Sequence, residues 1–253
     1  MSFIAIIPAR FASTRFPGKP LALLGDKPVI EHVWRRVAAV VPHTVVATDD
    51  DRIARAVEAF GGEVVMTRPD HKSGTDRCME AYRNVGTGED IIINVQGDEP
   101  FIDASQLRGI MACFDRTDTD IATLVKPFDP SRPYAELENP NAAKVVVDNT
   151  MKARYFSRSV IPFVRNAPRE QWPQLHRYYT HLGMYAYRAG VLEAITRLPQ
   201  SPLELAESLE QLRWLENGYT ITVATTSVAT IGIDTPADLA AAQEFLKQHP
   251  SHP

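Results

Sequence analysis

The spacing of apolar residues changes along this chain, and each change marks an element. Short β-branched runs at 3–8, 44–48, 63–67, 90–95 and 121–126 predict strands. Between them, apolar positions recur three and four residues apart. Ile30, Val33, Trp34 and Val37 form one such stripe, Ile53, Val57 and Phe60 a second, Cys78, Ala81, Tyr82 and Val85 a third, and Leu107, Ile110, Met111 and Phe114 a fourth. Four helices alternating with five strands predict an α/β fold with a doubly wound, largely parallel sheet.

After residue 128 the pattern changes. Segments 143–147 and 153–157 flank a turn at Asp148-Asn149 and predict an antiparallel hairpin. Residues 160–176 carry Pro162, Pro168 and Pro173 and read as an extended arm, a feature that often serves a dimer interface. A strand at 182–187, helices at 189–198 and 203–216, strands near 219–225 and 229–233 and a closing helix from Pro236 complete the reading, and 249–253 reads as a frayed terminus. The chain is therefore expected to form one domain over 1–253, with a first half at 1–128, a second at 129–230 and a return to the core at 231–253.

Composition narrows the partners. A chain of 253 residues buries enough surface to fold without a disulfide or metal staple. Lys and Arg total 27 against 31 Asp and Glu, which lacks the basic excess of a nucleic-acid footprint. Cys78 and Cys113, the two cysteines, have no metal-ligand spacing and fall on helical stripes, so a reduced, cytoplasmic setting is expected. No apolar run is long enough for a signal peptide or a membrane span.

Candidate chemistry begins where the first strand ends. Ile6-Ile7-Pro8-Ala9-Arg10 runs into a loop that carries Ser13, Arg15, Gly18 and Lys19, setting three cations at the edge where open α/β sheets bind ligands. Such a loop suits a polyanion, with a nucleoside triphosphate the leading candidate; Arg10 and Arg15 can fork onto phosphate oxygens while Lys19 acts as a point charge. The alternative is a solvated loop whose cations serve solubility. There is no Gly-x-Gly-x-x-Gly, and Gly18-Lys19-Pro20 is not a P-loop.

Carboxylates follow two later segments. Asn94-Val95-Gln96-Gly97-Asp98-Glu99-Pro100 ends the 90–95 strand, placing Asp98 at the same edge as Arg10 as a magnesium ligand or, alternatively, as the organiser of a Gly-Asp turn. In Ile233-Asp234-Thr235-Pro236-Ala237-Asp238, Thr235 is a natural N-cap with Asp238 three residues on. That leaves Asp234 without a capping job, and a second magnesium ligand is the preferred reading. Ser73-Gly74-Thr75-Asp76-Arg77 either caps the third helix or lets the backbone approach a base, with Arg77 directed to the same edge. One aspartate of Thr48-Asp49-Asp50-Asp51 is expected to cap the helix near Arg52.

These segments, with Tyr155-Phe156-Ser157-Arg158-Ser159-Val160-Ile161-Pro162, His181-Leu182-Gly183-Met184-Tyr185 and Leu205-Ala206-Glu207-Ser208-Leu209-Glu210-Gln211, resemble the 3-deoxy-manno-octulosonate (Kdo) cytidylyltransferases, or CMP-Kdo synthetases, nearly end to end. The opening loop marks the wider sugar nucleotidyltransferase group; Arg158, His181 and Glu210-Gln211 make the match specific. The resemblance implies a nucleotide-diphospho-sugar transferase-like fold, with nucleotide binding in 1–128 and sugar-acid binding and dimerisation in 129–230. It also implies transfer of CMP from CTP to Kdo with Mg2+, in a cytoplasmic homodimer that feeds lipopolysaccharide assembly, without nucleic-acid or membrane partners.

By the same resemblance, Arg10, Lys19, Asp98 and Asp234 would be catalytic, with both aspartates on the metal. Ala9, Arg10, Ser13, Arg15, Lys19, Ser73, Gly74 and Arg77 would bind the nucleotide. Arg77, Gln96, Arg158, His181, Tyr185, Glu210 and Gln211 would surround the sugar acid. Read alone, His181 equally fits a hydrogen-bonded core histidine, and Glu210 and Gln211 a solvated helix face; the stripe Leu205, Leu209 and Leu212 puts those two off the core face. Rival readings are a cytidylyltransferase for another sugar acid such as a neuraminate, a non-enzymatic nucleotide-binding module, and a metal-dependent glycosyltransferase, whose Asp-x-Asp is poorly matched by Asp98-Glu99-Pro100.

Overall fold

The computed structural model describes residues 1–85, 88–228 and 231–249. The chain opens with β1 (Phe3–Ala9), a two-residue pair β2 (Leu23–Leu24) and β3 (Lys27–Pro28), then α1 (Val29–Ala38), β4 (Thr44–Thr48), α2 (Asp51–Ala59), β5 (Glu63–Met66), α3 (Gly74–Val85), β6 (Ile91–Asn94) and α4 (Ala104–Ala112). It continues with β7 (Ile121–Pro127), α5 (Tyr134–Leu137), β8 (Lys144–Val147), β9 (Ala153–Ser157), α6 (Trp172–Leu175) and β10 (Tyr179–Arg188). Last come α7 (Ala189–Ile195), α8 (Pro202–Glu207), α9 (Glu210–Glu216), β11 (Ile221–Thr225) and α10 (Pro236–Gln248).

Two compact units are present. One holds residues 1–108, 186–196 and 230–253, the other 109–185 and 197–229. β7 and β11, which pair in parallel, both belong to the second unit.

In the first unit β4 and β6 flank β1, and β5 lies beyond β4, all in parallel. Successive strands step outward from β1 to β5, and then β6 returns to the other side of β1. That reversal opens a crevice beyond the carboxyl ends of β1 and β6, the location at which such sheets hold ligands. The β-branched runs form because both faces are covered: Ile4, Ile6, Ile7, Val45, Val46, Ile91, Ile92 and Ile93 are all 0 % exposed. Ile30, Val33 and Val37 of α1, Ile53 and Val57 of α2 and Cys78 and Ala81 of α3 are equally buried.

The end of the chain belongs to the same unit. Thr235 caps α10 with a reciprocal capping box: its side chain accepts from the Asp238 N–H, and the Asp238 carboxylate accepts from the Thr235 N–H. Leu239, Ala242, Phe245 and Leu246 pack on Leu24, Val29, Phe101 and Ile233. The strand expected at 229–233 is not formed at 231–233, while 229 and 230, like 250–253 of the expected frayed end, lie outside the described residues. The Ile233 N–H instead donates to the Asp98 carbonyl at 2.9 Å.

In the second unit β7 lies between β11 and β10, and β8 pairs antiparallel with both β9 and β10. The expected hairpin is the β8–β9 pair. The proline-rich arm packs on α5 through a small core, in which Trp172 meets Leu137 and Tyr178 and the Tyr178 hydroxyl donates to the Pro162 carbonyl at 2.9 Å. The single helix expected over 203–216 is two. Ser208 takes a left-handed conformation (φ 52°, ψ 48°) that ends α8, and Leu209 is extended before α9 begins. No helix among the described residues is long and apolar enough to cross a membrane.

Candidate active site

A cleft of about 410 Å³ in the first unit is lined by Pro8, Ala9, Arg10, Ser13, Arg15, Lys19, Gly74, Gln96 and Asp98, among others. Its floor is the end of β1, where Ala9 is 3 % exposed. The loop beyond is closed on itself: Gly18 donates its N–H to the Phe11 carbonyl at 2.9 Å, and Phe16 donates its own to Ser13 Oγ at 3.3 Å. Gly18 sits at φ 71°, the left-handed region that glycine adopts without strain, and its α-carbon faces the Phe11 ring. Arg52 stacks over that ring, 3.3 Å from its centroid, and is itself bonded to Asp50, the side chain that caps α2 as expected.

The central feature is a lysine between two aspartates. Lys19 Nζ lies 2.6 Å from Asp98 Oδ2 and 3.2 Å from Asp234 Oδ1, and Arg15 Nη1 approaches Asp234 Oδ2 at 3.2 Å. Asp98 reaches this point from the turn after β6. Asp234 is brought there by the Ile233–Asp98 backbone bond and not, as the sequence pattern implied, by the end of a strand. Its backbone N–H is further held by Asp238 Oδ2 at 3.1 Å.

Two carboxylates on one point charge form an all-oxygen set of the kind magnesium takes alongside phosphate oxygens and water. Among the described residues no group of three or more His, Cys, Asp and Glu side chains is placed to hold a metal without such help. The pair fits a magnesium ion delivered with a triphosphate, and not a self-sufficient protein cage.

The remaining nucleotide candidates are placed as follows. Arg10 donates through Nη2 to the His71 carbonyl, and the His71 ring bonds to Glu80 on α3, so the loop before α3 fixes the guanidinium. Ser73 caps α3, accepting from the Asp76 N–H at 3.1 Å, while Gly74 forms part of the cleft wall. Gly97 packs so closely that a Cβ there would lie 2.8 Å from the Pro8 carbonyl oxygen. Arg77 is the exception. It is 0 % exposed, off the cleft lining, with Nη1 2.5 Å from Thr67 Oγ1 and 3.4 Å from Asp49. Burial pulls its guanidinium below the usual range and Asp49 opposes this.

The sugar-acid candidates, apart from Gln96 and Arg77, lie in the second unit. His181 on β10 bonds through Nε2 to Thr123 Oγ1 at 3.0 Å and stands between the rings of Phe156 and Tyr185, each centroid 5.2 Å away. Tyr185 in turn meets Trp214 edge-on at 5.0 Å. Desolvation drives His181 from its usual 6.5 down to about 4, so the ring is neutral at physiological pH. In the unfolded chain it binds a proton at higher pH, so this contribution to stability is full above about pH 6.5 and is lost as pH falls toward about 4. An NMR titration should show the His181 ring protonating near pH 4, with denaturant midpoints declining over that window and less so in His181→Gln.

Gln211 does not lie on a solvated helix face, the alternative to a sugar-acid contact. It is 4 % exposed, lies beside buried Leu212 and Trp214, and its Nε2 has no hydrogen-bond partner among the described residues, whereas Leu205 of the supposed core stripe is 62 % exposed. A buried amide donor without an acceptor is a group that a hydroxyl-rich ligand would satisfy. Glu210 bonds to Arg213 at 2.7 Å. The Arg158 guanidinium donates to three backbone carbonyls, of Glu207, Pro140 and Ser208, at 2.6, 2.9 and 3.2 Å. Glu204, Glu207 and Arg213 also meet around this corner without a role assigned from sequence; the spacing of Ser201 and Glu204, which form a capping box, is the signal that marks the first of them.

Comparison with known proteins meets this geometry. A family model described as cytidylyltransferase matches residues 4–221. A 3-deoxy-manno-octulosonate cytidylyltransferase of Phocaeicola vulgatus is 64 % identical over 98 % of both chains. An 8-amino-3,8-dideoxy-manno-octulosonate cytidylyltransferase of Shewanella baltica is 43 % identical over 97 % of this chain and 99 % of its own. A solved CMP:2-keto-3-deoxy-manno-octonic acid synthetase complexed with CTP superposes with a TM-score of 0.90 at 42 % identity, covering 98 % of this chain and all of the other. With this likeness running end to end and the expected loops lining one cleft, the chain belongs to the 3-deoxy-manno-octulosonate cytidylyltransferase family.

Proposed function

We propose that this chain transfers the CMP group of CTP to the anomeric hydroxyl of Kdo, releasing pyrophosphate, with magnesium, as a cytoplasmic homodimer that feeds lipopolysaccharide assembly. The observation that carries the chemistry is Lys19 held between Asp98 and Asp234 at the edge of the cleft. Both substrates are anions, so charge must be offset before the hydroxyl meets the α-phosphorus. Arg10, Arg15 and Lys19 supply positive charge in one loop and favour departure of pyrophosphate. Ala9 and Gly74, small residues of the cleft lining, leave room for a base to lie against them. Magnesium on Asp98 and Asp234, when bound, would lower the pKa of the attacking hydroxyl and offset charge on the α-phosphate. Neutral His181, Tyr185 and the Gln211 amide nitrogen, which has no partner among the described residues, present hydrogen-bonding groups suited to a polyhydroxylated acid.

A second acceptor to test is the 8-amino sugar acid, since the Shewanella baltica relative is an 8-amino-3,8-dideoxy-manno-octulosonate cytidylyltransferase. Pyrophosphate release is the test, with CTP and either Kdo, its 8-amino analogue or a neuraminate, each with and without magnesium. Turnover is expected to be largest with Kdo and to vanish on chelation. Faster turnover with the amino sugar would transfer the assignment to that acceptor, and none with any acid would overturn it.

A further inference from the structure

Glu207, the last residue of α8, bonds to the end of β9 through both its side chain and its main chain. Its Oε1 accepts from Ser157 Oγ at 2.6 Å, its Oε2 from the Arg158 N–H at 2.8 Å, and its carbonyl from Arg158 Nε at 2.6 Å. Ser157 Oγ already accepts from the Ser159 N–H, so its own proton is committed to Glu207. The next residue, Ser208, is left-handed without being glycine, and its carbonyl accepts from Arg158 Nη2 at 3.2 Å. Directly after this corner, Glu210 and Gln211 form the first turn of α9. Their direction is therefore set by the bonds of Glu207 to β9, since a continuous α8 would carry them elsewhere.

We propose that Glu207 is a positioning residue for the sugar-acid side of the reaction, fixing the corner from which Glu210 and Gln211 are presented. The inference rests on the proposed function for the role of those two residues. A second restraint acts downstream, where Arg213 holds Glu210 at 2.7 Å and lies 3.5 Å from Glu204, so loss of Glu207 loosens the corner without dissolving it. The cleft of the first unit contains no part of this network.

The test is steady-state kinetics and amide hydrogen exchange on full-length Glu207→Ala and Glu207→Gln. Glu207→Ala should raise the KM for Kdo about tenfold or more, leave the KM for CTP within about twofold and speed exchange at 208–214. Glu207→Gln, which keeps one accepting oxygen, should lie between it and the parent; if the alanine variant does not fold, the glutamine variant is read by the same split. An unchanged KM for Kdo in a folded variant would overturn the proposal, as would a uniform fall in folded fraction with both KM values unmoved. A parent protein inactive on CTP and Kdo would instead refute the proposed function, while exchange at 208–214 still reports whether Glu207 holds the corner.

Discussion

Replacing Asp98 or Asp234 by asparagine is expected to cut pyrophosphate release on the order of a thousandfold while CTP still binds. Each change keeps the shape of the side chain and removes one of the two charges facing Lys19. Without that charge the pair would be a poor holder of the divalent ion proposed above. The nucleotide itself loses little, because Arg10, Lys19 and the walls at Ala9 and Gly74 stay in place. In the absence of magnesium the variants should bind CTP at least as tightly as the parent, since Lys19 is then less engaged by carboxylate. Calorimetry and a pyrophosphate assay on the same preparations separate the two effects. Unchanged release in both variants would defeat the metal assignment.

The second large effect is expected at Gly97. A methyl group there would lie 2.8 Å from the Pro8 carbonyl oxygen, with Ile7 Cγ2 at 3.5 Å and Ile30 Cδ1 at 3.6 Å behind it. The nearest of these is backbone, not the free end of a flexible side chain, so the turn after β6 must move away from β1. Overpacking of this kind costs about 1–3 kcal/mol. The displaced turn carries Gln96 and Asp98, so CTP affinity should fall about tenfold as well, more than stability alone explains. Gly190→Ala on α7, where nothing lies within 4 Å of the new atom, is the control and should leave binding unchanged. Parent-like melting and affinity in Gly97→Ala would show that the approach to Pro8 is not needed.

Much of the first unit is legible in the sequence because its signals are local. The runs Ile4–Ile7, Val45-Val46 and Ile91–Ile93 are apolar because both faces of a parallel sheet are covered; Arg10 and Asp98 stand out because they follow such runs closely, and Lys19 because it shares the loop with Arg10. The loops after β1 and β6 are bound to share an edge once the strands are parallel. Asp234 is legible only through its lack of a capping job, and the backbone bond that brings it to Asp98 joins residues far apart in sequence. Ser208 is illegible for the same reason. Its conformation is maintained by Arg158 and Glu207, and the sequence around it offers neither glycine nor proline to mark a break. The burial of Arg77 is not legible either, because Thr67 and Asp49, which accompany it into the interior, come from other segments of the chain.

The reciprocal cap of α10 has a consequence beyond helix stability. Because the Asp238 carboxylate grips the Asp234 backbone as well as Thr235, the closing helix works as a mounting bracket for one arm of the lysine-carboxylate clamp. Trimming the chain ahead of Pro236, outwardly no more than the loss of a tail, would leave that arm swinging and silence the protein even where the sheet survived.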